Sequence, residues 1–187
     1  MSKLIFLAGS ARKDSLNKKL AKQAFEIAKS NGVEAEFIDL KDYPMPIYDG
    51  DFEVENGLPE NAKKLKAKFA ECKGFFIASP EYNSSFSPLF KNAIDWISRP
   101  SEKGETPLIA FRGKFAALSA ASPGGFGGLR GLVPLRMLLG NIGVLVLPDQ
   151  LAIPFADKVF DAEGKISDIK ISKSLQSLVD SLISYTN

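Results

Sequence analysis

The chain has 187 residues, with 24 lysines and arginines against 22 aspartates and glutamates, one cysteine and no histidine. A net charge of +2 is too small for a nucleic-acid surface, and without histidine no Ser-His-Asp or Cys-His catalytic arrangement can form. A zinc site needs three or four Cys, His or carboxylate ligands, so no metal is expected, and the lone Cys72 rules out a disulfide within the chain.

In chain order, the apolar run Leu4 to Ala8 predicts a buried strand directly after Met1-Ser2-Lys3. Such a run is too short for a signal peptide or a membrane span, so a cytoplasmic location is expected. A helix is predicted over 16–31, with Leu16, Leu20, Ala24, Ile27 and Ala28 at 3–4 spacing and Asn31-Gly32 as its stop. A second strand falls at 35–38. Residues 40–59 carry Pro44, Pro46, Gly50, Gly57 and Pro59 without periodicity and read as a surface loop. A helix over 58–71 follows. Its run Lys63-Lys64-Leu65-Lys66-Ala67-Lys68 reads as a solvated face, with Leu65 and Phe69 turned the other way. Next come a strand at 75–78, a helix at 87–98 and a second long loop at 98–113. A strand at 115–120, a helix at 128–141 and a strand at 143–147 complete the alternation. Residues 157–167 read as a short excursion turning at Ala162-Glu163-Gly164-Lys165, before a last helix near 166–184.

The strands are nearly continuous in apolar residues, the pattern of strands covered on both faces. Strand–helix alternation five times over predicts an α/β fold, a doubly wound parallel sheet with right-handed crossovers, in one domain spanning 1–187. In such a sheet ligands bind where strands end, beside the point at which strand order reverses.

Three polar turns follow predicted strands. The first, Gly9 to Asn17, offers Ser10, Arg12, Ser15 and Asn17 at a helix start, where backbone N–H groups, hydroxyls, an amide and a guanidinium make an anion cradle sized for a monophosphate. It matches neither the dinucleotide fingerprint nor the P-loop. The same residues also read as a plain helix cap, with Asp14 or Ser15 as the capping residue. The second turn, Ser79-Pro80-Glu81-Tyr82-Asn83, is stiffened by Pro80 and presents successive backbone N–H groups. Tyr82 offers it a flat wall for a planar ligand, or an ordinary cover for the core edge. The third, Ala121 to Gly131, is glycine-rich, which permits close approach of a ligand to the backbone or a merely flexible loop. Cys72 has no base to activate it. Trp96 and Ile97 are expected in an apolar patch at an interface, which predicts a homo-oligomer.

Together the three turns resemble the NADPH-dependent FMN reductase family of the flavodoxin-like superfamily, which includes quinone, chromate and azo-dye reductases. Gly9, Ser10, Arg12, Ser15 and Asn17 match its first signature. Pro80 to Asn83, Lys91 to Trp96, Ser98 and Arg99 match its second, with Phe90 in place of the usual leucine. Ser122, Gly124, Gly127, Gly128 and Arg130 match its third. The likeness covers about residues 3–155. The resemblance implies a flavodoxin-like three-layer α/β/α fold, a five-stranded parallel sheet in order 2-1-3-4-5. It implies FMN as cofactor, its phosphate held by Ser10, Arg12, Ser15 and Asn17 and its ring against Pro80, Glu81, Tyr82 and Asn83, with Ser122 and Gly124 on the other side. It implies hydride transfer from NADPH or NADH through the flavin to a quinone-like small molecule by a ping-pong scheme, with no catalytic side chain. The long loops at 40–59 and 98–113 are expected to border the substrate opening of a homodimer or homotetramer. A second functional class, a one-electron carrier of the flavodoxin type, would bind FMN without a pyridine-nucleotide site; the basic balance and Arg12 weigh against it.

Overall fold

In the computed structural model, which describes residues 3–186, five strands form one parallel sheet. They are β1 (Leu4–Ala8), β2 (Ala35–Asp39), β3 (Gly74–Ala78), β4 (Phe115–Ala121) and β5 (Leu145–Ile153), in the order β2-β1-β3-β4-β5. The continuous apolar runs have a direct cause. Ile5, Leu7, Phe75, Ile77, Ala116 and Leu118 point into one core, while Leu4, Phe6, Phe76 and Ala117 point into the other. Neither face is left for polar side chains.

Six helices complete the layers: α1 (Leu16–Ser30), α2 (Gly50–Asn56), α3 (Glu60–Glu71), α4 (Pro88–Ser98), α5 (Leu129–Asn141) and α6 (Ile169–Thr186). Helices α1 and α6 cover one face of the sheet, and α3, α4 and α5 cover the other. Stacked phenylalanine rings bind layer to sheet, with Phe69 of α3 lying 4.9 Å from Phe75 of β3 between centroids. Each such fully buried side chain contributes about 1.5–3 kcal/mol of apolar burial. Among the described residues no helix is long and apolar enough to cross a membrane.

The register aligns Ala8, Ala78 and Ser119 across β1, β3 and β4. The chain therefore leaves all three strands at one edge of the sheet. β1 lies between β2 and β3, so strand order reverses beside that edge.

Several expectations are corrected. The loop 40–59 contains helix α2, capped at Asp49, whose side chain accepts from the Phe52 N–H, and ended at Gly57 with φ 70°. Strand β5 starts at Leu145 and runs on to Ile153, through Pro148. Proline is tolerated there because β5 is an edge strand, and its register against β4 breaks between Ala116 and Leu118. Helix α6 begins at Ile169, after the excursion, where the Phe160–Ile166 bridge closes a small hairpin.

Trp96 is not in an exposed patch: both it and Ile97 are buried. The segment before α2 lies over Trp96, whose indole N–H donates to the Pro46 carbonyl at 2.7 Å. Tyr48 and Phe52 pack edge-on against its ring. Glu53 of α2 locks this cover, accepting from Tyr48 Oη at 2.8 Å and from Arg99 Nε at 3.0 and 2.9 Å. Burial pulls the Glu53 carboxyl upward, but the hydrogen bonds from Arg99 and Tyr48 outweigh it and hold the group below the ordinary glutamate value. Nor is the lysine run wholly solvated. Lys66 is buried, donating to the Arg99 carbonyl at 2.5 Å and to the Glu105 carboxylate. It therefore anchors the 98–113 loop to α3.

Candidate functional site

The first turn is shaped by what it must pass. The Gly9 N–H donates to the Ala78 carbonyl at 2.9 Å. A Cβ at Gly9 would lie 3.2 Å from both Phe90 Cβ and Ser87 Oγ, so a side chain there would press the second turn back by a few tenths of an ångström. Ser15, not Asp14, caps α1, its hydroxyl accepting from the Lys18 N–H at 3.3 Å. The N–H groups of Leu16 and Asn17 then open the helix with no acceptor inside it. Ser10 is buried, and its hydroxyl accepts from the Arg12 N–H at 3.3 Å. Arg12 is exposed and pairs with no carboxylate among the described residues.

Asn17 does something the sequence does not announce. Its Nδ2 donates to the Ala121 carbonyl, and the Ala121 N–H donates to its Oδ1, each at 2.9 Å. The side chain thus clasps the end of β4, and only the backbone N–H of Asn17 is left to face the turn.

The second turn hangs on Ser87, which caps α4 and donates from Oγ to the Gly9 carbonyl at 2.5 Å. Between Pro80 and Ser87 lies a two-residue hairpin. Asn83 and Ser84 take φ of 50° and 64°, and Tyr82 and Ser85 exchange N–H···O bonds of 2.8 and 3.0 Å. Positive φ at both central residues defines a type I′ turn, a conformation asparagine accepts readily. The expected run of successive donors is therefore interrupted, since the Tyr82 N–H is taken by Ser85. Those of Glu81 and Asn83 make no hydrogen bond among the described residues. Tyr82 itself is 45% exposed.

Glu81 turns its carboxylate away from the turn. Arg130 donates to it from Nε at 2.9 Å and lies within 2.7 Å through Nη2, and the Gly131 N–H donates at 3.3 Å. The Arg130 guanidinium also stacks 4.9 Å from the Phe126 ring centroid. The second turn is thereby fastened to the start of α5. The third turn is fastened from the other side: the Ser122 N–H donates to the Ile153 carbonyl at 3.1 Å, and the Ala156 N–H donates to the Ser122 carbonyl at 3.0 Å.

The three turns enclose two adjoining cavities. One, of about 330 Å³, is lined by Ser10, Arg12, Ser15, Asn17, Pro80, Glu81, Tyr82 and Ser122, together with Asp14, Leu16, Ala121 and Pro123. The other, of about 460 Å³, shares Glu81 and Ser122 and adds Asn83 and Gly124. All ten residues singled out in the sequence therefore meet at one edge of the sheet. The second cavity is completed by Ser84, Gly125, Phe126, Gly127, Gly128 and Arg130. Gly127, Gly128 and Arg130 stand in the third signature, so the sequence carried a signal for them. Phe126 carried none. The loops at 40–59 and 98–113 of the same chain line neither cavity. Cys72 is buried, and burial pushes its thiol up to about 12, so it is no nucleophile.

A parallel 2-1-3-4-5 sheet with two adjoining cavities at its switch point defines a flavodoxin-like α/β fold. The sequence pattern of the NADPH-dependent FMN reductases matches residues 2–158. An NAD(P)H:quinone oxidoreductase of Solanum tuberosum is 34% identical over 182 residues, covering 95% of this chain and 89% of the relative. An NAD(P)H-dependent FMN reductase of Pseudomonas aeruginosa is 32% identical over 181 residues, covering 96% and 92%. Among solved structures, the flavoenzyme NAD(P)H:(acceptor) oxidoreductase of Paracoccus denitrificans superposes with a TM-score of 0.83 at 31% identity, covering 100% of this chain and 97% of that one. The chain belongs to the NADPH-dependent FMN reductase family.

Proposed function

We propose that this protein is an NAD(P)H-dependent FMN oxidoreductase that reduces quinones or similar small acceptors. The observation that carries the reading is the convergence of all ten residues on two joined cavities, one suited to a phosphate and one to a ring. The donor set fits FMN. Arg12 brings a positive charge with no internal partner, Ser10 and Ser15 bring hydroxyls, and the Leu16 and Asn17 N–H groups bring the positive end of α1. FMN, when bound, accepts a hydride from the nicotinamide and delivers electrons to the acceptor.

The chain's own part is to bind and orient. Pro80 to Asn83 would face the ring edge with the N–H groups of Glu81 and Asn83, which are ready to meet charge developing there. Tyr82, which is 45% exposed, would stand beside a second planar molecule stacked on the ring. Ser122 and Gly124 line the far side, where the Ser122 hydroxyl holds the Gly124 N–H at 3.2 Å. The Glu81 carboxylate would not repel electrons arriving at the ring, because Arg130 neutralises it. That favours an enzyme over a one-electron carrier. No histidine exists to relay protons, so solvent or a proton of the flavin would supply them. A cytoplasmic site fits the single buried thiol.

The test is steady-state oxidation of NADPH with a benzoquinone acceptor by the purified, FMN-loaded protein. One mouth serving both partners in turn predicts parallel double-reciprocal lines. Intersecting lines would count against the shared mouth, and failure to oxidise NADPH or NADH would count against the enzyme.

We also propose a homodimer or homotetramer assembled through α5. Val133 and Met137 are each 65% exposed there, and Leu129 is 42% exposed, in one stripe at i, i+4 and i+8. Light scattering is expected to give at least twice the mass of one chain. Val133→Asp with Met137→Asp is expected to halve that value, and a single-chain mass for the unaltered protein at micromolar concentration would refute the assembly.

A further inference from the structure

A third cavity, of about 830 Å³, adjoins the phosphate cavity and shares Asp14 and Ser15 with it. It runs along the flank of α1, between the end of β2 and the turn at 161–165. Six lysines line it, Lys13, Lys18, Lys19, Lys22, Lys41 and Lys165, against the four carboxylates of Asp14, Glu26, Asp39 and Glu163. Lys18 is buried and holds Asp39 at 2.7 Å. The other five pair with no carboxylate among the described residues.

These ammonium groups come from four separate segments, and several are held in place. Lys19 Nζ lies 6.0 Å from the Phe160 ring centroid, and Lys22 Nζ lies 5.6 Å from that of Phe37. The turn carrying Lys165 is fixed by its own N–H, which donates to Asp161 Oδ1 at 2.7 Å, and by Gly164 at φ 81°. A lysine already ordered against an aromatic ring loses less freedom when it meets an anion. Converging point charges on a concave surface concentrate multivalent anions, phosphates above all.

Three cavities thus lie in a row, for ring, phosphate and lysines, each sharing lining residues with the next. A reduced pyridine dinucleotide carries a second nucleotide that FMN lacks. With its nicotinamide over the flavin ring, an extended dinucleotide carries its adenosine half past the ring cavity. On the far side of that cavity the cation is Arg130, already paired with Glu81. On the near side stand five lysines that pair with no carboxylate among the described residues. We propose that the lysine cleft binds the phosphorylated adenosine half of the dinucleotide and favours NADPH over NADH, because the 2′-phosphate adds charge for Lys19 and Lys22 to meet. This rests on the reading that a pyridine nucleotide reacts at the flavin.

Calorimetric titration of the FMN-loaded protein with adenosine 2′,5′-bisphosphate, and with adenosine 5′-monophosphate for comparison, tests the cleft without turnover. The bisphosphate is expected to bind about tenfold more tightly than the monophosphate, and Lys19→Gln with Lys22→Gln is expected to abolish that difference. The same pair of changes is expected to raise the KM for NADPH about tenfold, leaving the KM for NADH, FMN affinity and melting temperature unchanged. Equal binding of the two adenosine phosphates, or a preference that survives in the double variant, overturns the proposal. Lysine-dependent bisphosphate binding by a protein that oxidises neither nucleotide supports the cleft and overturns the enzymatic reading instead.

Discussion

Arg12→Ala is expected to weaken FMN binding by roughly 10- to 150-fold. Hydrogen bonds to a charged group are worth about 1.5–3 kcal/mol, and each 1.4 kcal/mol is about tenfold in affinity. Among the described residues Arg12 has no ion pair to lose, so the substitution breaks no salt bridge there. Its melting temperature without cofactor should match that of the unaltered chain, whereas the cofactor's stabilisation of the fold should shrink with affinity. Fluorescence titration of the apoprotein with FMN measures the effect. An unchanged dissociation constant would remove Arg12 from the phosphate site and leave the first turn as a helix cap alone.

Gly127→Ala is expected to be the most damaging single methyl in the site. Gly127 takes φ 61°, which an L side chain adopts only with strain. A Cβ there would lie 2.6 Å from the carbonyl carbon of Ile153 and 2.6 Å from the Pro154 nitrogen, both backbone atoms that cannot rotate away. Left-handed strain and overpacking together cost about 3 kcal/mol. For a chain of this size that lowers the melting temperature by roughly 6–12 °C. Gly125→Ala, two residues earlier, is the control. Its Cβ would meet the Phe155 ring at 3.5 Å, an ordinary contact, so its stability should stay within about 0.5 kcal/mol. Chemical denaturation of both variants separates them, and equal stabilities would mean that the third turn can shift away from the end of β5.

Strands β1, β3 and β4 were legible because burial on both faces leaves unbroken apolar runs, and α1 because its apolar residues keep a 3–4 spacing above Asn31-Gly32. Helix α2 was not legible. Its sequence, Gly50-Asp51-Phe52-Glu53-Val54-Glu55-Asn56, has no apolar stripe, none of its residues is buried, and it is held by capping at Asp49 and the tie from Glu53 to Arg99. The fate of Trp96 was hidden for a related reason. Its cover, Pro46 and Tyr48, lies about fifty positions earlier in the chain, and spacing cannot report such a contact. Lys66 looked solvated because its partner, Glu105, is 39 positions away. At the site, residue types picked out positions that meet at one edge of the sheet, yet not the direction of each side chain. The sequence offered Glu81 as a wall residue, but only the fold brings Arg130 to its carboxylate. The lysine cleft was scattered over four segments and left no local pattern.

The paired bonds between Asn17 and Ala121 join residues 104 positions apart. They weld the start of the first helix to the end of the fourth strand, so two walls of the first cavity form a single corner. The weld also ties two distant stretches of the gene to each other. A chimera of two relatives, joined anywhere between that helix and that strand, keeps the corner only while position 17 carries a side chain able both to donate and to accept. A residue with neither group there would strand the N–H and the C=O of residue 121 at once, inside the wall of the cavity.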